Sequence, residues 1–324
     1  MTNQTVSEGE RDTSRFYPSK EYYFLADGSN RVEQEMPPFD RYNDGTTNEP
    51  RLQIQHSLWS LIRLPMNSET EWTREEKFSR VKAAGFEGVE CWLTDESEGE
   101  CKASLDREGL RLTLGHHPHT LDDVKQTVAR AKRLNADFVF AQPLNPFCPI
   151  PEAAVFLREA RKIAHDAGIC LFVETHRNNI PESLNQALQL IDGIPEIRFT
   201  GDFSHFVVVS EFYGLEYERA IERMMPVLSR TSHLHGRISN GEAVQVDVGD
   251  GTGATAQFFV QIWATAMREW RIGASPGDVF PFASELGPPR YALTLPDGKE
   301  FSDRWEQSLV MKRLAEQAWA ISGQ

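Results

Sequence analysis

The sequence predicts an α/β fold, a closed (β/α)8 barrel with an irregular N-terminal extension, and three observations support this prediction. From residue 51 onward, short apolar runs alternate with longer segments of helical period, which is the pattern of strand–helix units on a parallel sheet. Eight such units occupy residues 51–324, close to the roughly 250 residues typical of such a barrel. The first predicted strand is not followed by the Gly-rich loop of a dinucleotide-binding open sheet.

Eight short apolar runs predict the barrel strands. They span residues 52–56, 86–92, 111–114, 138–141, 169–174, 197–202, 232–235 and 280–285. Between them, apolar side chains recur at the spacing i, i+3, i+4 and i+7, which puts them on one face of a helix. The clearest sets are Leu121, Val124, Val128 and Ala131; Phe156, Ala160, Ile163 and Ala167; Leu184, Ala187, Leu188 and Ile191; and Phe259, Ile262, Ala266 and Trp270. Thr73 with Glu76, and Thr120 with Asp123, have the capping spacing that begins a helix.

Residues 1–50 differ from the rest of the chain. They are rich in charged and small polar residues, contain Pro37-Pro38 and Asn43-Asp44-Gly45, and show no sustained period. This composition predicts a partly flexible N-terminal extension, followed by one catalytic barrel domain over residues 51–324.

Composition limits the class of protein. Lys and Arg number 34 against 48 Asp and Glu, a formal charge of −14, which argues against nucleic-acid and anionic-membrane partners. No run approaches the ~20 apolar residues of a membrane span, and residues 1–15 lack the apolar stretch of a secretory signal. Four cysteines without a CxxC pair indicate a reduced compartment. We therefore expect a cytoplasmic protein.

Polar residues concentrate where a barrel keeps its chemistry, at the carboxyl ends of the strands. Of the nine histidines, only His165 falls inside a predicted helix, and the other eight lie at or just past a predicted strand end. Packing alone does not explain such a distribution, so the pattern indicates a functional site at this end of the barrel.

Four residues are candidate ligands of one divalent ion, because each ends one of four successive predicted strands, the fifth to the eighth. They are Glu174, Asp202, His235 and Glu285. Adjacent strands lie ~4.8 Å apart, so the four side chains can converge. Three carboxylates and one imidazole suit Mn²⁺ best, with Mg²⁺, Co²⁺ and Zn²⁺ also compatible. His233 points the same way as His235 but one layer deeper, as a hydrogen-bonded core residue.

Four motifs carry a resemblance to a known family. They are Val173-Glu-Thr-His-Arg-Asn, Gly201-Asp-Phe-Ser-His, His233-Leu-His-Gly-Arg and Ser284-Glu-Leu-Gly. Together they resemble the xylose isomerase-like TIM-barrel superfamily, and more narrowly the sugar phosphate isomerase/epimerase group that includes the ketose 3-epimerases. The resemblance extends over roughly residues 51–324. It is compatible with a homo-oligomer.

The resemblance implies roles for individual residues. The four strand-end residues would be the metal ligands, and Glu174 and Glu285 would also be the catalytic acid/base pair. His205 and Arg237 would contact substrate oxygens, and Arg237 also suits a carboxylate or phosphate on the substrate. Two further histidines at the barrel mouth, His176 and His117, are additional substrate-binding candidates.

One position departs from the ketose 3-epimerase pattern. Those enzymes usually carry a second Glu six positions after the strand-five Glu, where this sequence has Ile180.

These residue types suit proton transfer next to a carbonyl group. Removing an α-proton leaves an enediolate, whose charge a divalent ion stabilises as a Lewis acid, while one carboxylate removes the proton and another group returns it. The sequence therefore predicts a metal-dependent isomerase or epimerase of a sugar or keto-sugar derivative. Expulsion of a β-hydroxyl by a lyase or dehydratase, or a hydrolase reaction, would use the same barrel, and the residues leave these outcomes open.

Two other classes are less consistent with the sequence. The apurinic-site DNA endonucleases belong to the same superfamily, but their three-metal cluster needs further His and Asp ligands. Here strand four ends in Gln142-Pro143, and the loop after strand seven, at residues 246–251, lacks an Asp-x-His motif. A non-catalytic sugar-binding barrel would not need two acids beside a metal.

Overall fold

The computed structural model describes residues 41–212 and 217–324, in which strands and helices alternate along the chain. The strands are β1 (Tyr42–Asn43), β2 (Arg51–Ser57), β3 (Gly88–Cys91), β4 (Arg111–His116), β5 (Val139–Ala141), β6 (Leu171–Glu174), β7 (Phe199–Gly201), β8 (Thr231–Gly236) and β9 (Asp278–Ser284). The helices are α1 (Arg74–Ala83), α2 (Glu98–Glu108), α3 (Leu121–Leu134), α4 (Ile150–Asp166), α5 (Leu184–Gly193), α6 (Phe203–Val209), α7 (Tyr217–Leu228), α8 (Ala254–Arg271) and α9 (Arg304–Ser322).

Strands β2 to β9 form a closed parallel barrel. Each pairs with its neighbour in chain order, and β9 pairs with both β8 and β2, so that Phe282 lies in register with Leu234 on one side and Ile54 on the other. Each of the eight predicted strands overlaps one of these eight, and the helices surround the barrel. The predicted (β/α)8 barrel is therefore confirmed.

Strand β1 was not predicted, because two residues are too short to show a period. It pairs antiparallel with β9, where Tyr42 lies opposite Val279. The buried Tyr42 ring lies 6.0 Å from the ring of Phe138, at the amino-terminal end of the barrel. Residues 41–50 of the predicted extension thus include a strand of this sheet. Residues 1–40 of that extension lie outside the described residues.

The helix starts follow the capping spacings in the sequence. The Thr73 and Thr120 side chains each accept a hydrogen bond from the backbone N–H three residues later, at Glu76 and Asp123. The side chains of these two acids in turn accept a hydrogen bond from the backbone N–H of Thr73 and Thr120. Helix α6 was not predicted, because only Asp202 separates it from β7; the Asp202 side chain caps the helix by accepting a hydrogen bond from the Ser204 backbone. None of the described helices is long and apolar enough to cross a membrane.

The inside of the barrel contains an aromatic layer below the carboxyl ends of the strands. Phe138, just before β5, and Phe140 in β5 are both buried, and their rings lie edge-on to His233 and His235 respectively, each at 4.9 Å. This layer forms an apolar floor on which the two histidine rings rest.

Gly115 in β4 allows a tryptophan to pack against this layer. A Cβ atom at Gly115 would lie 2.4 Å from Cε2 of Trp92 and 2.8 Å from Cζ of Phe140. We expect Gly115→Ala to lower the free energy of unfolding by about 1–3 kcal/mol, because the two rings would have to move in a packed core. Urea denaturation measures the effect.

The matched control is Gly99→Ala in α2, where a Cβ would meet no described atom within 4 Å. Since Ala has the higher helix propensity, this variant should be as stable as the wild type or gain up to about 1 kcal/mol. Equal denaturation midpoints for the two variants would contradict the packing argument.

Candidate metal centre and active site

The four predicted ligands converge at the carboxyl end of the barrel. Glu174 ends β6, Asp202 follows β7, His235 lies in β8 and Glu285 follows β9. One ligand atom from each lies within 4.8 Å of the others, and all four side chains are buried. Parallel strands in register bring consecutive strand ends together, as the sequence spacing predicts.

The donor atoms of this cluster fit a divalent cation. His235 Nδ1 lies 2.8 Å from Glu285 Oε2 and 3.3 Å from Glu174 Oε1. Neither His235 Nδ1 nor Glu174 Oε1 makes a well-aligned hydrogen bond to any described residue. Buried polar atoms without such bonds are costly, and a cation shared by carboxylate oxygens and one imidazole nitrogen would satisfy them.

Two cationic side chains, His235 and Arg237, compensate part of the negative charge of the cluster. Burial lowers the pKa of His235, but the carboxylates of Glu285, Glu90 and Glu174 outweigh burial and raise the pKa well above its usual range. Burial raises the pKa of Glu285, but His235 and Arg237 outweigh it and lower the pKa below its usual value. A cation bound at His235 would replace its proton, because a ligating imidazole must be neutral.

Glu90 of β3 is a buried member of the site that the sequence analysis missed. Its Oε1 accepts a hydrogen bond from His235 Nε2 at 3.2 Å and lies 3.0 Å from His233 Nε2. His233 is hydrogen-bonded in turn to Thr200 Oγ1 and is buried one layer below His235. Because Glu90 holds the Nε2 proton of His235, the Nδ1 atom is the one that faces the carboxylates. A carboxylate inside the apolar run Gly88-Val-Glu-Cys was the available sequence signal.

Arg237 contacts the carboxylates of the cluster directly. Its Nε donates to Asp202 Oδ2 at 3.0 Å and its Nη2 donates to Glu285 Oε2 at 2.7 Å. The guanidinium lies over the rings of Trp59 and Tyr291, 5.3 and 4.6 Å from their centroids. Sequence reasoning predicted a substrate contact for Arg237; the structure adds that it links two of the acids.

The three histidines predicted to bind substrate lie at two depths. His176 and His117 line the cavity above the cluster. His205, in α6, is completely buried and is not among the described residues that line this cavity. Its ring centroid lies 4.2 Å from that of His176, and its Nε2 lies 3.6 Å from Asp202 Oδ2. Burial lowers the pKa of His205 well below its usual value, so the ring is neutral.

The cavity has a volume of about 740 Å³ and opens at the barrel mouth. Glu285 and Arg237 line its floor, together with Gln142. The Gln142 amide donates to Glu174 Oε2 at 2.8 Å, so it orients that carboxylate. His176 is oriented similarly, with its ring nitrogens hydrogen-bonded to Asn179 and to the Tyr291 hydroxyl.

Comparison with known proteins agrees with this architecture. The family model described as xylose isomerase-like TIM barrel matches residues 78–262, more than half of the chain. The chain belongs to the xylose isomerase-like TIM barrel family. No curated protein sequence matches it.

Two solved structures illustrate the fold that this chain shares with other proteins. One is a xylose isomerase-like TIM barrel protein from Mycobacterium smegmatis in complex with magnesium, with a TM-score of 0.54, 13% identity, and coverage of 83% of this chain and 97% of that one. Another is the probable 3-DHS dehydratase AsbF of petrobactin synthesis in Bacillus anthracis, with a TM-score of 0.51, 13% identity, and coverage of 81% and 98%. Identities this low show a shared fold alone.

We expect Glu90 to control metal affinity through His235. Glu90→Ala should weaken Mn²⁺ binding by about 10–100-fold, because the His235 ring loses the acceptor that orients it. Glu90→Gln keeps an acceptor oxygen and should therefore lose less Mn²⁺ affinity than Glu90→Ala. Isothermal titration of the purified protein with Mn²⁺ gives the affinities.

The control is Glu87→Gln, which removes the same charge just before β3, at a partly exposed side chain paired with Arg51. Its Mn²⁺ affinity should match the wild type. If Glu90→Ala and Glu87→Gln bound Mn²⁺ equally well, the orienting role of Glu90 would be wrong.

Proposed function

We propose that this protein is a divalent-metal-dependent isomerase or epimerase that acts on a sugar or keto-sugar derivative by proton transfer through an enediolate. The observation that carries the proposal is the position of two buried carboxylates beside the same imidazole nitrogen. Glu174 and Glu285 approach His235 Nδ1 to 3.3 and 2.8 Å from β6 and β9. Two acids beside a candidate metal ligand are the groups that removal and return of an α-proton require.

The metal would be held by Glu174, Asp202, His235 and Glu285, with Mn²⁺ as the proposed ion. When bound, a divalent cation would polarise the substrate carbonyl and stabilise the negative charge that develops on its oxygen.

Residues of the protein itself would carry out the proton transfers and hold the carboxylates in position. Glu285 lines the cavity, so its carboxylate can reach the α-proton of a bound substrate. Glu174, oriented by Gln142, would be the second proton-transfer group. Arg237 holds the carboxylates of Asp202 and Glu285 in place, because its guanidinium donates a hydrogen bond to each.

Substrate hydroxyl groups would meet the histidines of the cavity. His176 and His117 line it and can donate or accept hydrogen bonds. Arg237 would contact the substrate directly, whereas His205, buried against His176 and outside the cavity lining, would act on the substrate through His176.

Replacing either proton-transfer acid should suppress proton exchange without unfolding the protein. We expect Glu174→Gln and Glu285→Gln to lower the rate of α-proton exchange with D₂O by at least about 10²-fold, because each loses a base that typically contributes 10²–10⁴-fold. The measurement is NMR of a panel of ketoses and keto-sugars with the Mn²⁺-reconstituted protein. Chelation with EDTA should abolish exchange in the wild type.

The matched control is Glu152→Gln, an exposed acid in the first turn of α4, which should exchange at the wild-type rate. If a Gln variant retained both metal and exchange, the base would lie elsewhere, and His176 would be the next candidate. Analysis of the products separates the reaction types: a changed stereocentre or carbonyl position supports the proposal, whereas loss of a hydroxyl group would make the enzyme a dehydratase.

A further inference from the structure

The mouth of the barrel has two chemically different halves. All four residues of the candidate metal cluster come from β6 to β9. The apolar residues that line the cavity come from the loops after β2 and β3: Leu58, Trp59, Ile62 and Trp92. In the closed ring, β2 stands opposite β6 and β3 stands opposite β7. The apolar lining therefore lies across the mouth from Glu174 and Asp202, while its β2 side adjoins β9, which Glu285 follows.

The cavity is larger than a single sugar requires. Its volume of about 740 Å³ lies in the upper part of the range of about 300–1,000 Å³ that is typical for drug-sized ligands. One sugar ring bound at the carboxylates would leave much of this volume, including the apolar half, in contact with water.

The apolar half is built to hold a ring. The Trp92 indole lies nearly parallel to the His117 ring, at 18°, and edge-on to Phe140, so its orientation is fixed by packing. Ile62 is 39% exposed, although it is a large apolar residue beside the cavity. A flat indole and an uncovered aliphatic side chain favour contact with an apolar ring.

Polar recognition is limited on this side of the cavity. Its charged lining residues are Arg74 and Lys77 of α1, and each already has an acidic partner. Arg74 pairs with Glu100 at 3.0 Å, and Lys77 pairs with Glu71. An anionic group bound there would share these cations with their carboxylates, whereas an apolar ring would not need them.

We propose that the substrate has two parts: a sugar or keto-sugar that reacts at the carboxylate cluster, and an apolar ring, such as an aryl substituent, that binds between Trp92 and Ile62. The identity of the reacting part rests on the proposed function, whereas the ring site is inferred from the apolar residues that line the cavity.

Matched pairs of methyl and phenyl glycosides test the ring site. The probes are the methyl and phenyl β-D-glucosides, β-D-galactosides and β-D-xylosides, titrated into the Mn²⁺-reconstituted full chain by calorimetry. We expect at least one phenyl glycoside to bind on the order of ten- to hundredfold more tightly than its methyl partner, because its ring is removed from water.

The tighter binding of a phenyl glycoside relative to its methyl partner, here called the phenyl advantage, should depend on Trp92 and Ile62. Trp92→Ala and Ile62→Ser should each reduce this advantage. The Ile62 variant keeps the test valid if Trp92→Ala fails to fold, because the Ile62 side chain is partly exposed and its loss leaves no core cavity. Trp319→Phe, on α9 away from the cavity, should retain the full advantage.

Two results would overturn the proposal: no phenyl glycoside binding more tightly than its methyl partner, or an advantage that survives both Ile62→Ser and Trp92→Ala. Repeating the titrations after EDTA treatment separates this proposal from the catalytic one. The phenyl advantage should persist without metal, whereas a failure of metal-dependent proton exchange would count against the proposed function alone.

Discussion

The site depends on the burial of three like charges at one end of a barrel. Glu174, Asp202 and Glu285 are shielded from water and lie within a few ångströms of one another. Burying an uncompensated carboxylate is strongly unfavourable, and the cost grows when a second lies beside it. Arg237 and the protonated His235 therefore compensate part of this cost, and a divalent ion bound at the cluster would take the place of the His235 proton.

Hydrogen bonds inside the barrel, below the cluster, also stabilise the buried polar groups. Glu90 accepts a hydrogen bond from His235, and the neighbouring His233 is hydrogen-bonded to Thr200. The two histidine rings lie on the aromatic layer of Phe138 and Phe140, and all four polar residues are buried, so water does not compete for their hydrogen bonds. The ligand geometry is consequently set by packed and hydrogen-bonded neighbours from β3, β5 and β7, and the loops above are free to shape the cavity.

The loops give the cavity its asymmetry. Strands β6 to β9 end in acids and histidine, whereas β2 and β3 lead into Trp59, Ile62 and Trp92. Arg237 connects the two halves, because its guanidinium donates to the carboxylates and lies over the Trp59 ring. A closed barrel makes this division possible, since opposite strands face one another across a single opening.

The sequence by itself determined the barrel and the convergence of Glu174, Asp202, His235 and Glu285. Both follow from local information: the period of apolar residues assigns each segment to a strand or helix, and parallel strands place their carboxyl ends together. Only the tertiary structure decided that Glu90 holds His235, that Arg237 pairs with two acids and that His205 is buried beneath His176. Glu90 and His235 are 145 residues apart, and their contact exists only because the barrel closes. The periodicity of a segment indicates which way each of its side chains points, but the partner that a side chain meets depends on strands brought together from distant parts of the chain.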